Sequence, residues 1–296
     1  MPGTTFYQGH SDNVFAVAWS PDGRFIASGS RDNTVQVWNA TTGTCSCIYN
    51  GHTHCLLAVA WSPDGQRIAS GCTGGEVRVW RAFNGEEIIA YRGHRRFVRS
   101  IAWSPDGRSI VSGGDFGDSS IHVWDVATGQ VVSIHDGQYR NFAVSWSPDG
   151  SRIAAGNFDG TVQVWEASSG HNTLVCDRQA GPVYTLDWSP DGRSIVSGGQ
   201  DAIVTVWDAT TGSTLCAYDG HHGPVKTVGW SPEGSFIASG SDDTTIQVWQ
   251  ATTAKQSVTY EGHTRWVRTL DWSPTGEYIA SASDSKVHVW RVHALP

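Results

Sequence analysis

Apolar and polar residues alternate along this chain in short runs, and the runs recur. The segment Val14-Phe-Ala-Val-Ala-Trp19 predicts a strand with two differently filled faces, here named strand a. Ser20-Pro21-Asp22-Gly23 follows, with proline presetting φ at the second turn position and glycine closing the turn. Phe25 to Gly29 then reads as strand b, Asp32-Asn33 as a turn, and Thr34 to Trp38 as strand c. Ala40-Thr-Thr-Gly43 leads into strand d at Cys45 to Tyr49, and no segment needs a helix.

This unit repeats through the whole chain. Trp-Ser-Pro begins at Trp19, Trp61, Trp103, Trp146, Trp188, Trp230 and Trp272, a spacing of 42 or 43 residues. A second tryptophan, always after valine, recurs at Trp38, Trp80, Trp124, Trp165, Trp207, Trp249 and Trp290. Only Trp266 stands outside the plan. Four short strands every 40 to 45 residues is the signature of a propeller blade, so seven blades are expected.

After Trp290 too few residues remain for a seventh strand d, whereas Thr4-Thr-Phe-Tyr-Gln8 before Gly9-His10 matches Ser46-Cys-Ile-Tyr-Asn50 before Gly51-His52. The expected fold is therefore all-β: one closed seven-bladed propeller over residues 1–296, with four antiparallel strands per blade and residues 3–8 completing blade seven. Closure removes the open edge on which strands aggregate.

Gly-His pairs, Trp-Ser-Pro-Asp-Gly turns and the terminal Val-Trp together make the chain resemble the WD-repeat β-propellers over essentially all 296 residues. The Trp-Asp of the family name survives only at Trp124-Asp125 and Trp207-Asp208. The resemblance implies a buried tetrad per blade, joining a loop His, a strand-b Ser, a turn Asp and the strand-c Trp. It maps to His10, Ser28, Asp32 and Trp38 in blade one, His94, Ser112, Asp118 and Trp124 in blade three, and His221, Ser239, Asp243 and Trp249 in blade six. In blade seven His263, Ser281, Asp284 and Trp290 fall in approximate register, while blade two has Gly74 in place of the Asp. Blades four and five have Gly137-Gln138 and Gln179 in place of His, and blade four has Ala155 in place of Ser, so these two are expected to be the loosest. His, Asp and Ser together invite a catalytic-triad reading, but several copies at blade period point to structural hydrogen bonding.

In the resembled family, partners commonly bind the face bearing the Gly-His loops and the channel mouth. Four residues before each strand-a tryptophan lie Phe15, Leu57, Arg99, Phe142, Tyr184, Lys226 and Arg268, an aromatic, aliphatic and basic ring. It holds no carboxylate, imidazole or thiol, so no catalytic residue, metal site or cofactor is expected there. Two residues earlier come Arg140 and Trp266, and before the turn Asp come Arg31, Phe158, Gln200 and Asp242, with Gly117 at that place in blade three. Trp266 is a hot-spot-like aromatic between Arg265 and Arg268. Arg92, Arg95, Arg96 and Arg99 cluster near Arg140, and an extended blade-three turn adds Phe116 to the same face.

With 20 Lys+Arg against 28 Asp+Glu the net charge is -8, which disfavours nucleic acid as a partner. No stretch has the length and apolarity of a membrane-spanning helix, and residues 1–10 lack a secretion signal. Six cysteines without regular pairing fit reduced thiols in the cytoplasm. The resulting expectation is a monomeric, non-enzymatic scaffold for a protein or peptide, acidic or phosphorylated, with Phe15, Arg96, Arg99, Arg140, Phe142, Phe158, Tyr184, Lys226, Trp266 and Arg268 as its contact residues. The alternatives are a regulatory or sensor propeller within a larger signalling protein and a consensus-like repeat protein with no evolved partner.

Overall fold

A computed structural model describes residues 4–115, 117–136, 141–176 and 179–292. They form seven four-stranded antiparallel sheets, each ordered a-b-c-d from one edge to the other. Blade one shows the plan: Val14–Trp19, Phe25–Ser30, Val35–Asn39 and Cys45–Tyr49 are its strands a to d. At the a–b turn of blades one to five a serine hydroxyl donates to the carboxylate two residues on, as Ser20 does to Asp22. The closing glycines, Gly23 through Gly276, have φ between 67° and 78°, a left-handed conformation that a side chain would strain.

The core lies between blades. Val35 and Val37 of blade one pack with Leu56, Val59, Trp61, Ile68 and Trp80 of blade two. The same arrangement closes the ring, where Ala280, Ala282, Val287 and Val289 of blade seven pack against Val14, Val17, Trp19 and Ile26 of blade one. The N-terminal strand Thr5–Tyr7 pairs antiparallel with Val287–Arg291, in the register Thr5 to Val289 and Tyr7 to Val287. Blade seven is thus completed from the N-terminus, as the sequence predicts, with residues 1–3 outside the described set.

The tetrads differ among blades more than the sequence suggests. In blades one and three the histidine bonds both serine and aspartate, and the tryptophan Nε1 donates to the same serine, from Trp38 to Ser28 at 3.2 Å and from Trp124 to Ser112 at 3.3 Å. In blade six His221 bonds Ser239 and Asp243, each at 2.8 Å, but the buried Trp249 Nε1 has no partner among the described residues. Trp249 also stacks more loosely on its tyrosine, at 5.2 Å against 4.5 Å for Trp38. The indole stands off the serine, so the expected four-member set is only three-membered.

Blade seven corrects a second expectation. Its shorter turn brings Ser283 rather than Asp284 to His263 Nδ1, at 3.0 Å, while Asp284 accepts from the Lys286 backbone. In blade two His52 keeps Ser70, and its Nδ1 is buried and has no partner among the described residues where the turn residue is Gly74. Blade five does not lack its network: Gln179 Oε1 accepts from Ser197 at 2.6 Å, and Trp207 donates to the same hydroxyl at 2.7 Å. A glutamine amide reaches the place of the imidazole and still accepts. Blade four has buried Ala155 and so no hydroxyl at the centre; residues 137 and 138 lie outside the described set.

Candidate functional site at the channel mouth

One backbone feature builds the ring. In blades one to six the a–b register shifts by one residue at Phe15, Leu57, Arg99, Phe142, Tyr184 and Lys226. A β-bulge leaves its extra residue unpaired and re-aims the side chain. Here the extra side chain is turned to the channel. Together with Arg268 these residues line a central cavity of about 380 Å³. The family resemblance, carried over by repeat position, marks the ring, but the bulge is a property of the paired strands and is invisible in one strand alone.

Four ring residues each meet the residue sixteen places later, at the b–c turn of their own blade. Arg99 lies 3.7 Å from Asp115 and Lys226 lies 3.4 Å from Asp242. Tyr184 donates its hydroxyl to Gln200, and Phe142 lies 6.1 Å from Phe158 between ring centroids. Blade three corrects the sequence alignment: Asp115, not Gly117, holds this place. The Asp115 amide donates to Phe97 just as Asp242 donates to Pro224 and Gln200 to Pro182. The two extra residues are inserted after this position, which hid the acidic partner of Arg99.

Cations and rings also alternate between blades. The Arg99 guanidinium lies 5.2 Å from the Phe142 centroid, Lys226 Nζ lies 4.0 Å from Tyr184, and Arg268 lies 4.9 Å from Phe15 and 5.8 Å from Trp266. Burial pushes all three cations toward lower pKa, and Asp115 and Asp242 oppose that push. Arg268 differs from the other two, because its Nε is buried and has no hydrogen-bond partner among the described residues. Trp266 beside it is 53% exposed. The arginine cluster at the start of blade three is partly neutralised, with Arg92 2.8 Å from Glu76 and Arg99 beside Asp115, while Arg96 is exposed. Phe158 is also exposed, whereas Arg140 and Phe116 lie outside the described residues.

Deeper in the channel, hydroxyls stitch neighbouring blades. Thr185 accepts from Val228 N, Thr227 from Leu270 N, and Thr269 from Val17 N. One pleat further, on the same strand face, stand two carboxylates outside the sequence-derived ring. Asp187 accepts from Trp230 N at 3.0 Å and Asp271 from Trp19 N at 2.7 Å. Burial pushes Asp187 up to about 6; burial, with the charge of Asp187, pushes Asp271 up to about 7. Reading the residue just before each strand-a tryptophan would have found them, since the other five are alanine, serine or glycine. The cationic mouth is thus followed, further along strand a of blades five and seven, by two buried carboxyls.

A buried cluster of His94, Asp118 and His122 brings its ligating atoms within 4.8 Å of one another. These atoms already have structural duties: His94 bonds Asp118 and Ser112, and His122 Nδ1 meets the Tyr91 hydroxyl at 2.6 Å. Gln36 and Gln247 bond the equivalent tyrosines in blades one and six, which marks the His122 place as a structural one.

Comparison with known proteins agrees with this architecture. Residues 35–191 match the family described as IFT122 first beta-propeller, and residues 2–39, 212–250 and 254–291 match the WD domain, G-beta repeat. Among curated relatives, the chain is 55% identical over 38 residues to a periodic tryptophan protein 2 homolog of Dictyostelium discoideum, covering 13% of this chain and 4% of that one. It is 45% identical over 47 residues to a probable cytosolic iron-sulfur protein assembly protein Ciao1 of Culex quinquefasciatus, 16% of this chain and 14% of that one. It is 49% identical over 39 residues to a ribosome biogenesis protein BOP1 homolog of Drosophila virilis, 13% of this chain and 5% of that one. Each match spans about one repeat, a small part of the relative's length. A seven-fold period, closed ring and matched repeats lead to one assignment: the chain belongs to the WD-repeat β-propeller family.

Proposed function

We propose that this propeller is a monomeric, non-enzymatic scaffold that binds an acidic or phosphorylated peptide segment at the channel mouth. The observation that carries this reading is the state of Arg268. Unlike Arg99 and Lys226, it has no carboxylate in ion-pair range among the described residues, and its Nε is buried and unbonded. A carboxylate or phosphate oxygen delivered by a peptide would supply that acceptor, with bidentate geometry available to a guanidinium. Phe15 and the exposed Trp266 flank the same guanidinium and offer apolar area for the rest of the segment. WD-repeat propellers are typically interaction scaffolds, and two of the matched relatives are named for assembly and biogenesis processes.

The test is binding of glutamate-rich and phosphoserine peptides by fluorescence anisotropy at increasing salt. Affinity is expected to fall as salt rises, and to be lost in Arg268→Glu. Salt-independent binding, or binding unchanged in Arg268→Glu and Trp266→Ala, would place the peptide site elsewhere.

A further inference from the structure

The first residue of strand b decides how the next blade's strand-a tryptophan is covered. Phe236 and Tyr278 pack in the same clusters as Trp272 and Trp19, and Phe25 packs with Trp61, which Phe83 also meets at 6.1 Å. In two other blades the cover is an arginine. The Arg67 guanidinium lies 4.9 Å from the Trp103 ring and donates to Gly107 O at 3.2 Å. The Arg152 guanidinium lies 4.8 Å from Trp188 and donates to Ala209 O at 2.8 Å and Gly192 O at 3.1 Å.

In blades three and five the covering residue is Ser109 or Ser194. The tryptophans that follow, Trp146 and Trp230, are the two strand-a tryptophans left partly exposed; the other five are only 4–8% exposed. Each uncovered ring opens on a cavity, of about 520 Å³ at Trp146 and about 560 Å³ at Trp230. The residues that accept from Arg152 have counterparts by repeat position around both cavities: Gly150 and Ala167 beside Trp146, and Gly234 and Ala251 beside Trp230. Carboxylate residues also line them, Asp106 and Asp149 in one and Asp191 and Glu233 in the other.

We propose that these two inter-blade cavities are sites for an arginine side chain presented by a partner protein. The protein itself displays the bound state twice, at Arg67 on Trp103 and at Arg152 on Trp188, with ring face below and turn carbonyl at the side. The uncovered pair keeps the ring, the carbonyl-bearing positions and the turn carboxylates, of which the covered site of blade two uses Asp64, 3.4 Å from Arg67, and it lacks only the guanidinium. A planar, weakly hydrated cation suits an indole face better than an ammonium does. These sites lie at the Trp-Ser-Pro-Asp turns, apart from the residues of the channel mouth, and stand independently of the acidic-peptide reading.

The test uses the full chain labelled with 15N-tryptophan, with Trp146→Phe and Trp230→Phe identifying the two indole signals. The probe is N-acetyl-arginine N-methylamide, against its citrulline and lysine counterparts. Arginine is expected to move both indole signals saturably, lysine less, and citrulline not at all. Ser109→Arg should abolish the response of Trp146 alone and Ser194→Arg that of Trp230 alone, each supplying in cis what blades two and four already have. Ser109→Phe and Ser194→Phe should do the same by closing the cavity as Phe25 does, and they serve if an arginine variant fails to fold. Arg268→Glu should leave both responses intact. No movement at either indole, equal movement with citrulline, or responses that survive both substitutions would overturn the proposal.

Discussion

The phenol ring of Tyr7 lies flat on the indole of Trp38, with centroids 4.5 Å apart and planes 5° from parallel. Tyr7 belongs to the strand hydrogen-bonded to blade seven, and Trp38 to blade one, so this stack joins the last blade to the first. The same tyrosine hydroxyl donates to Gln36 at 2.5 Å. Tyr49 on Trp80 and Tyr91 on Trp124 repeat the contact between consecutive blades.

Tyr7→Ala should therefore loosen ring closure and not merely one blade. Tyr7 is 6% exposed, and truncating a buried aromatic of this size costs about 3 kcal/mol. The expected result is a lower melting temperature by calorimetry. Deleting residues 1–8 should further expose the edge of Val287–Arg291 and produce association on size-exclusion chromatography. An unchanged monomer with unchanged melting would contradict the clasp.

His52 predicts a specific acid sensitivity. Burial, with Arg78 nearby, pushes its pKa down to about 4, below the ordinary value near 6.5. The unfolded chain then binds the proton more readily, so this histidine's stabilising effect is full above about pH 6.5 and is lost as pH falls toward 4. At pH 5 the loss is about 2 kcal/mol. His52→Gln, the residue type that blade five uses at Gln179, should remove about that much of the difference between urea denaturation at pH 7 and pH 5.

Asp271 should act with the opposite sign. Its carboxyl is raised to about 7 by burial and by Asp187, so the protonated form favours folding and stability is lost as pH rises from about 4 through 7. Asp271→Asn keeps an oxygen that can accept from Trp19 N and removes the charge. It should raise the melting temperature at pH 8 and change it little at pH 4.

Ser194→Phe should stabilise the protein by covering Trp230 as Phe236 covers Trp272, worth about 1–2 kcal/mol if the ring fills the cavity. Differential scanning fluorimetry should show a rise of a few degrees. A fall would mean that the introduced phenyl ring cannot enter without strain.

Hydrogen exchange should separate blades four and five, both of which lack the tetrad histidine. Val204–Asp208 in blade five is anchored through Ser197 and Gln179, whereas Val162–Glu166 in blade four faces Ala155. Faster exchange is expected only in blade four.

The repeat determined by itself the blade number, the strand order, the turns and the N-terminal completion of blade seven. All of these follow from local alternation and from Trp and Gly recurring at fixed spacing, and periodic packing leaves them one solution. It also marked the ring from Phe15 to Arg268, because every blade places the same position at the channel. Contacts between positions far apart in the chain were decided only by the tertiary structure. Asp115 became the partner of Arg99 because an insertion displaced the alignment, Ser283 replaced Asp284 because a shorter turn changed reach, and Gln179 bonded where a histidine was expected. Trp146 and Trp230 are local repeats of the same motif as Trp19, yet they differ in exposure because the side chain that covers each belongs to the preceding blade. A strand's pattern specifies which face a residue takes; only packing specifies what meets it there.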